Sequence, residues 1–272
     1  MRKAEWITVI AFCFFFLASW LRPVSARRRM AIAAIGATGL LLLALVRLAD
    51  QFLPQYPVAV ARDVLPALLM PMVYWQAGWL SGKINHVFQA KLQKLDRSLV
   101  SRWMPILAQP KYRWAMAILE LAYISCYVLV PLGLLVLYAK GLQSHIPEYW
   151  NVSLLATYPC YAFTAFFPTT PPRILETKSA ATVKGKIRRF NLWVVRSFST
   201  ELNTFPSAHV TATLGSSLVL LHFAPGIGLV FVLVSIGIGL GAVMGRYHYA
   251  ADVLLAAILT LAVYVLEQQL FV

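Results

Sequence analysis

Long apolar stretches separated by short polar segments make up most of the chain. About eight of these stretches are long enough to cross the hydrocarbon core of a bilayer as α-helices. They cover roughly residues 5–22, 30–49, 64–82, 114–139, 150–167, 207–223, 225–245 and 249–270. The pattern predicts an all-α protein, a polytopic membrane helix bundle with about eight transmembrane helices.

Two longer polar connections interrupt this pattern. In residues 83–113, apolar side chains recur at helical spacing between Lys and Arg, which predicts an amphipathic helix in the headgroup plane. The apolar positions are Ile84, Val87, Phe88, Leu92, Leu95 and Leu99. The second connection, residues 168–204, is basic and carries Lys178, Lys184, Lys186, Arg188, Arg189 and Arg196.

The composition supports a membrane protein and narrows its partners. Hydrophobic residues make up 60% of the chain and charged residues only 12%, whereas soluble domains contain about 25% charged residues. The net charge of +14 favours contact between the basic loops and anionic lipid headgroups, and we predict no nucleic-acid partner. The cysteines Cys13, Cys126 and Cys160 lie in apolar runs at no metal-ligand spacing.

Alternation of the spans places the loops 22–29, 83–113, 168–206 and 246–248 on one face. Five of the 24 Lys and Arg residues fall elsewhere, namely Arg2, Lys3, Arg47, Arg62 and Lys140. By the positive-inside rule this basic face is cytoplasmic, and a periplasmic or exoplasmic face is the alternative. We expect a bacterial inner (plasma) membrane location.

The first helix resembles a cleavable signal peptide, with an apolar run after Arg2 and Lys3. The basic run 27–29 directly after the possible cleavage site favours an uncleaved helix instead. Residues 1–62 are then two additional N-terminal transmembrane helices, and residues 63–272 form the remaining membrane domain.

Three short polar segments fall on the predicted basic face. They are 166-FFPTTPPRILE-176, 204-TFPSAHV-210 and 244-MGRYHYAADVLLA-256. Because polar groups are costly in lipid, their grouping at the span ends indicates a site. The candidate site residues in these segments are Arg173, Ser207, His209, Arg246, His248 and Asp252.

The spacing of these residues is typical of phosphoryl transfer. His248 and Asp252 are i,i+4 neighbours on a helix, so the carboxylate orients the imidazole and leaves its other nitrogen nucleophilic. Ser207 and His209 lie where a helix begins, with Pro206 suited to its first turn, and a helix N-terminus favours an anion. Two arginines, Arg173 and Arg246, can hold phosphoryl oxygens. The pattern predicts a phosphohistidine route that uses no metal and no cofactor.

The Pro-Ser-x-His element, followed about forty residues later by His-x-x-x-Asp, resembles the type 2 phosphatidic acid phosphatase superfamily. The resemblance implies a six-helix membrane catalytic core and a phosphorylated lipid as substrate. It implies that His248 is the nucleophile, that Asp252 is its partner and that His209 protonates the leaving group. It further implies a phosphate-binding set that consists of Arg173, Ser207, Arg246 and Ala208, which stands where the family motif has Gly.

The chain also departs from the family pattern. Phe166 stands where the usual first element has Lys, and Ala242 stands where the usual third element has Arg. Arg246 lies four residues later, about one helical turn, so we predict that its guanidinium reaches the same pocket. The pattern Pro-Pro-Arg, Phe-Pro-Ser-x-His and Arg-Tyr-His-Tyr-x-x-Asp is similar to the branch that contains inositol phosphorylceramide synthases.

Two enzyme classes and one transporter hypothesis follow. A lipid phosphate phosphatase passes the phosphoryl group to water, whereas a head-group transferase passes a phosphoalcohol to a lipid by the same site. A transporter with proton-relay histidines is the alternative outside this class, but transporters place ionisable residues near mid-bilayer. Here the ionisable residues cluster at span ends, with Glu120 as an exception. The sequence leaves the lipid, the acceptor and the oligomeric state open.

Overall fold

The computed structural model describes residues 1–107, 109–176 and 185–270. Within these residues the chain forms thirteen α-helices and no strand, as predicted for an all-α protein. The helices are α1 (Lys3–Leu21), α2 (Ala26–Ala49), α3 (Gln55–Leu80), α4 (His86–Val100), α5 (Met104–Leu107), α6 (Arg113–Ile124), α7 (Cys126–Ala139), α8 (Ile146–Phe166), α9 (Pro172–Leu175), α10 (Lys186–Phe198), α11 (Ala208–Phe223), α12 (Pro225–Met244) and α13 (Ala250–Leu270).

Each of the predicted apolar spans corresponds to one helix or to the pair α6 and α7. By length and composition, however, five of the described helices can cross a membrane, or up to six if the bent pair is one span. Helix α11 is shorter, and α8 carries buried polar residues such as Asn151, Ser153 and Thr157. Helices α8 and α11 account for the difference between this number and the predicted number of about eight transmembrane helices.

Helix α8 is the centre of the bundle. It packs against α1, α3, α11 and α13, so most of its circumference is buried. The indole nitrogen of Trp150 donates to the backbone carbonyl of Asp63 on α3, with N···O 2.7 Å. This central position explains its polar residues, since they face other helices and not lipid.

The segment 113–139 is bent where α6 meets α7. The two helices differ in direction by 59°, and the break lies at Ser125, whose hydroxyl donates to the Ala122 carbonyl (2.6 Å). Helix α6 packs on α12 and α10, whereas α7 packs on α11. The bend brings Tyr123 and Tyr127 close to the start of α11, where both rings face His209.

Backbone and side-chain contacts join the loops that were predicted to share one face. These hydrogen bonds run from Arg22 Nη1 to the Ala165 carbonyl (3.2 Å), from Asn85 N to the Pro168 carbonyl (2.8 Å) and from Arg173 N to the Arg246 carbonyl (2.8 Å). At the other end of the bundle, ion pairs join Arg2 to Asp63, Lys3 to Glu267 and Arg62 to Glu5. The predicted sorting of these loops is thus seen in the fold.

Helix α4 is the amphipathic helix predicted within residues 83–113. Its predicted apolar positions Val87, Leu95 and Leu99 are exposed, as expected for a helix that faces lipid. The face turned to the protein includes two polar residues, Gln89 and Asp96, both buried. These polar residues contact the loops that carry the site.

Helix α10 lies in the second basic connection. It buries Asn191, Val194 and Val195 and exposes the aromatic rings of Phe190 and Trp193. The predicted basic residues Lys178 and Lys184 lie outside the described residues. Helix α10 packs on α6, beside the break in the bent pair.

Close packing of α6 on α12 requires a glycine at position 241. A Cβ at Gly241 would overlap the backbone carbonyl oxygen of Leu119, whereas a Cβ at Gly226, in the same helix, would meet no atom within 4 Å. We expect Gly241→Ala to destabilise the protein by about 1–3 kcal/mol, because α6 must move away. Thermal unfolding in detergent measures this effect, with Gly226→Ala as the matched control. Equal melting temperatures for the two variants would contradict the assignment.

Candidate active site

A pocket of about 530 Å³, including the part open to solvent, lies at the end of the bundle where the loops meet. It is lined by Tyr74, Tyr123, Tyr127, Tyr161, Arg173, Val195, Phe198, Ser199, Leu202, Thr204, Ala208, His209, Tyr247 and His248. Four of the predicted site residues therefore line one pocket, namely Arg173, Ala208, His209 and His248.

His248 and Asp252 meet as their spacing predicts. The distance from His248 Nδ1 to Asp252 Oδ2 is 3.2 Å, and both side chains are buried. The local structure differs from the prediction, because α13 begins at Ala250 and His248 precedes it. Asp252 lies in the first turn and also accepts from the Tyr249 backbone N–H (3.0 Å), as an acidic residue in a capping box does. The carboxylate is thereby fixed at the imidazole.

His209 faces His248 from the first turn of α11. The centroids of the two imidazole rings are 5.8 Å apart, with the rings nearly perpendicular. The rings of Tyr123 and Tyr127 lie edge-on to His209 at 5.8 and 5.5 Å. Both imidazoles line the same pocket, so one group bound there can contact both.

Ser207 precedes α11 as its N-cap and is fully buried. Its backbone N–H donates to the Asp252 carbonyl (3.0 Å), which ties the start of α11 to α13. Its hydroxyl oxygen has no hydrogen-bond partner among the described residues and is not part of the pocket lining. Pro206 was predicted in the first helical turn, but it lies before the N-cap.

Arg173 brings positive charge to the pocket. Its backbone N–H donates to the Arg246 carbonyl (2.8 Å), and its Nη1 donates to the Tyr247 carbonyl (3.4 Å). The guanidinium also lies 5.7 Å from the centroid of the Tyr247 ring. Because these contacts occupy only part of its donor set, other guanidinium N–H groups can bind an anion.

The prediction that Arg246 reaches the same pocket is wrong. The one-turn argument requires a helix that continues through residue 246, but α12 ends at Met244 and Arg246 adopts a left-handed conformation (φ 59°). Its guanidinium points instead to two carboxylates, with Nη2 at 2.7 Å from Asp96 and 2.6 Å from Glu176. Arg246 does not line the pocket.

Asp96 holds the loop that contains Arg246 and the start of α13. One carboxylate oxygen accepts from Arg246, and the other accepts from the backbone N–H of Ala250 (2.8 Å). Sequence reasoning missed Asp96, although its position is in helical register with Leu92 and Val100. That register, inside a segment rich in Lys and Arg, was the available signal.

Glu120, which the sequence analysis named as an exception to the clustering of ionisable residues at span ends, is paired. Its carboxylate accepts from Arg188 Nη1 (2.7 Å), Asn191 Nδ2 (2.6 Å) and the Tyr247 hydroxyl (2.7 Å). The Tyr247 ring in turn stacks on Tyr123, with centroids 3.8 Å apart. This network fixes Tyr247, whose carbonyl accepts the hydrogen bond from Arg173.

The surroundings of His248 favour its neutral form. Burial and the positive charge of Arg173 lower the pKa of the His248 imidazole below its usual value of 6.5. A neutral imidazole has the free lone pair that a nucleophile needs. Among the described residues, no three His, Cys, Asp or Glu side chains form a group that could hold a metal ion.

We expect Asp96→Asn to lower stability by about 3 kcal/mol, because Arg246 would lose a charged partner in a buried position. The melting temperature in detergent measures the loss. Asp50→Asn is the matched control, since Asp50 is exposed and Arg62 keeps its pair with Glu5, so the loss should be small. A double variant, Asp96→Leu with Arg246→Met, should recover part of the loss. Equal effects of Asp96→Asn and Asp50→Asn would contradict the structural role of the Asp96–Arg246 pair.

We also expect stability to fall with acidification. The unfolded chain gains a proton at histidine near pH 6.5, whereas folded His248 gains it only at lower pH. The free energy of unfolding should therefore decrease below pH 6.5, by up to about 1.4 kcal/mol per pH unit. Melting temperatures of wild type and His248→Asn at neutral and acidic pH test this, with Arg173, His209 and Asp252 unchanged in both. An identical pH dependence of the two melting temperatures would exclude His248 as a source of the loss of stability at acidic pH.

Comparison with known proteins shows the family of the chain. A family model described as the PAP2 superfamily matches residues 90–266, which include His209, His248 and Asp252. A search of curated proteins and a search of solved structures each gave no match. Because the family match covers more than half of the chain and the whole of the pocket's histidine pair, the chain belongs to the PAP2 superfamily.

Proposed function

We propose that this protein is a membrane lipid phosphate phosphatase that acts through a phosphohistidine. The observation that carries the proposal is the pair of facing imidazoles, 5.8 Å apart, of which His248 contacts Asp252 and shares its pocket with Arg173. Membership of the PAP2 superfamily supports a phosphatase or phosphotransferase activity. The apolar helices support a substrate that lies in the membrane.

In the proposed first step, the free imidazole nitrogen of His248 attacks phosphorus and forms an N–P bond. The P–O bond to the lipid breaks, and His209 donates a proton to the leaving oxygen, so that the lipid leaves as an alcohol. Asp252 keeps the His248 ring in position and stabilises the positive charge that develops on it. Arg173 binds the phosphoryl oxygens and offsets their growing negative charge.

In the second step, a water molecule attacks the phosphorus of the phosphohistidine, and His209 takes a proton from this water. The N–P bond breaks, inorganic phosphate leaves, and both histidines return to their starting state. No step in this sequence requires a metal ion. If the substrate is a phosphodiester lipid, the first step leaves a phosphoalcohol on His248 and releases the lipid alcohol. Transfer of that phosphoalcohol to the hydroxyl of a second lipid, in place of water, would make the protein a head-group transferase, the in-class alternative.

The roles of Ser207, Ala208 and the membrane orientation stay predictions. The unpartnered Ser207 hydroxyl is available to an anion after a side-chain movement, and the small Ala208 side chain leaves room beside the pocket. The prediction of a cytoplasmic catalytic face rests on the charge asymmetry of the loops alone.

The test is incubation of the purified protein with a panel of phosphorylated lipids in EDTA. Release of inorganic phosphate would support the phosphatase, whereas a new phosphodiester lipid would identify the head-group transferase. Loss of all activity in EDTA would contradict the metal-independent route, and failure to convert any lipid phosphate would contradict both enzyme classes.

We expect His248→Ala to reduce turnover to background, because the covalent route is lost. Asp252→Asn should reduce kcat by about 10⁴-fold, as an amide at the corresponding position of a catalytic triad does. His222→Ala is the matched control, because His222 is exposed at the far end of α11. Phosphate release by the purified variants measures these effects. If His248→Ala turned over substrate at the wild-type rate, in a preparation free of other phosphatases, His248 would be excluded as the nucleophile.

A further inference from the structure

Helix α4 contacts all three polar segments that carry the site, and two of these contacts are polar. In the first segment, the Thr170 backbone N–H donates to the Gln89 side chain of α4, with N···O 2.9 Å. In the third segment, the Ala250 backbone N–H donates to the Asp96 carboxylate of α4, at 2.8 Å. Both α4 side chains are buried, and their spacing of seven residues places them on one face of the helix.

The second segment contacts α4 through apolar side chains. Leu92 of α4 lies in a buried cluster with Phe205 of the second segment and with Tyr249, the neighbour of His248. The Phe88 ring lies edge-on to Phe205, with the ring centroids 5.0 Å apart. Because protein interiors are closely packed, a shift of α4 would move the residues next to His248.

The outward side of α4 and the rest of its connection are basic. The connection 83–113 contains seven Lys and Arg residues, and all seven are exposed. They are Lys83, Lys91, Lys94, Arg97, Arg102, Lys111 and Arg113. None of the seven forms an ion pair within the residues that the structure describes. The one acidic residue of the connection is Asp96, which is buried and bound to Arg246. The connection therefore presents a positive surface that the protein itself does not neutralise.

Exposed apolar side chains accompany this charge on α4. Val87 and Leu95 are exposed on the same helix as the basic Lys91 and Lys94. A helix with basic and apolar groups on its outward side is typical of a membrane surface, where the apolar groups enter the acyl boundary. An acidic protein or a nucleic acid would complement the charge but would leave the apolar groups in water. An anionic lipid complements both.

We propose that anionic lipid headgroups bind the outward side of α4 and hold this helix where its inner side aligns the three site segments. The lipid contact stands independently of the proposed function, whereas its effect on turnover rests on the lipid phosphatase proposal. The protein should therefore be more stable and more active beside anionic lipids than beside neutral ones.

The test uses the purified protein in mixed micelles of a neutral detergent with phosphatidylglycerol or with phosphatidylcholine. Phosphatidylglycerol should raise the melting temperature, and it should raise kcat/KM for the lipid phosphate that the protein converts. In the double variant Lys91→Gln with Lys94→Gln, both effects should require about 25-fold more phosphatidylglycerol, because each lysine near an anionic surface contributes about fivefold to affinity. In phosphatidylcholine this variant should match wild type, since neither lysine forms an ion pair.

The matched control is the double variant Lys111→Gln with Arg113→Gln. These two residues belong to the same connection, are exposed and carry the same total charge, but they lie outside α4. Because electrostatic attraction to a lipid surface is local, the control should need phosphatidylglycerol within about twofold of the wild-type amount.

Each outcome bears on the proposal. A weaker response to phosphatidylglycerol in the α4 variant alone supports it. No response of wild type, an equal response of all three proteins, or an equal loss in both variants overturns it while the phosphatase function stands. If soluble polyglutamate raises the melting temperature of wild type as much as phosphatidylglycerol does, the partner is an acidic polymer and the lipid assignment is wrong. If the melting temperatures follow the prediction but no lipid phosphate is converted, the proposed function and the effect on turnover fail, and the lipid contact stands.

Discussion

The buried guanidinium of Arg246 joins three segments that are far apart in the sequence. It binds Asp96 on α4 and Glu176 after α9, and Asp96 also accepts from the N–H group at the start of α13. A buried charge without partners would be strongly unfavourable, so the three segments must stay together for the fold to be stable. The Arg246 carbonyl also accepts the hydrogen bond from the Arg173 N–H, and His248 follows two residues later. The positions of Arg173 and His248 in the pocket thus depend on the ion pairs of Arg246.

A second layer of polar contacts supports the opposite side of the pocket. Glu120 lies in the bent span and receives hydrogen bonds from α10 and from Tyr247. Both layers place charged side chains between helices at the end of the bundle, where lipid is excluded. Some of the arginines are therefore structural, since Arg188 and Arg246 lie outside the pocket and pair with the acidic residues that hold its walls.

Much of the architecture was predictable from the sequence, because apolar length and helical spacing determine where membrane helices form. The meeting of His248 with Asp252 was predicted from helical spacing, and the two side chains do meet, although His248 precedes α13 and Asp252 is held by the Tyr249 N–H. The role of Arg246 was not, because the end of α12 and the left-handed turn at residue 246 depend on tertiary contacts with Asp96 and Glu176. Length and composition alone give five or six spans, because the polar residues of α8, which other helices surround, lower its apolar character.

In the proposed mechanism, His248 forms a covalent bond to phosphorus. Incubation with a lipid that carries a radioactive phosphate, followed by rapid denaturation and identification of the labelled peptide, tests this step. Label is expected on His248, should survive alkali, should be released by mild acid and should be absent from His248→Ala. Label on a different residue, with lipid turnover intact, would contradict it.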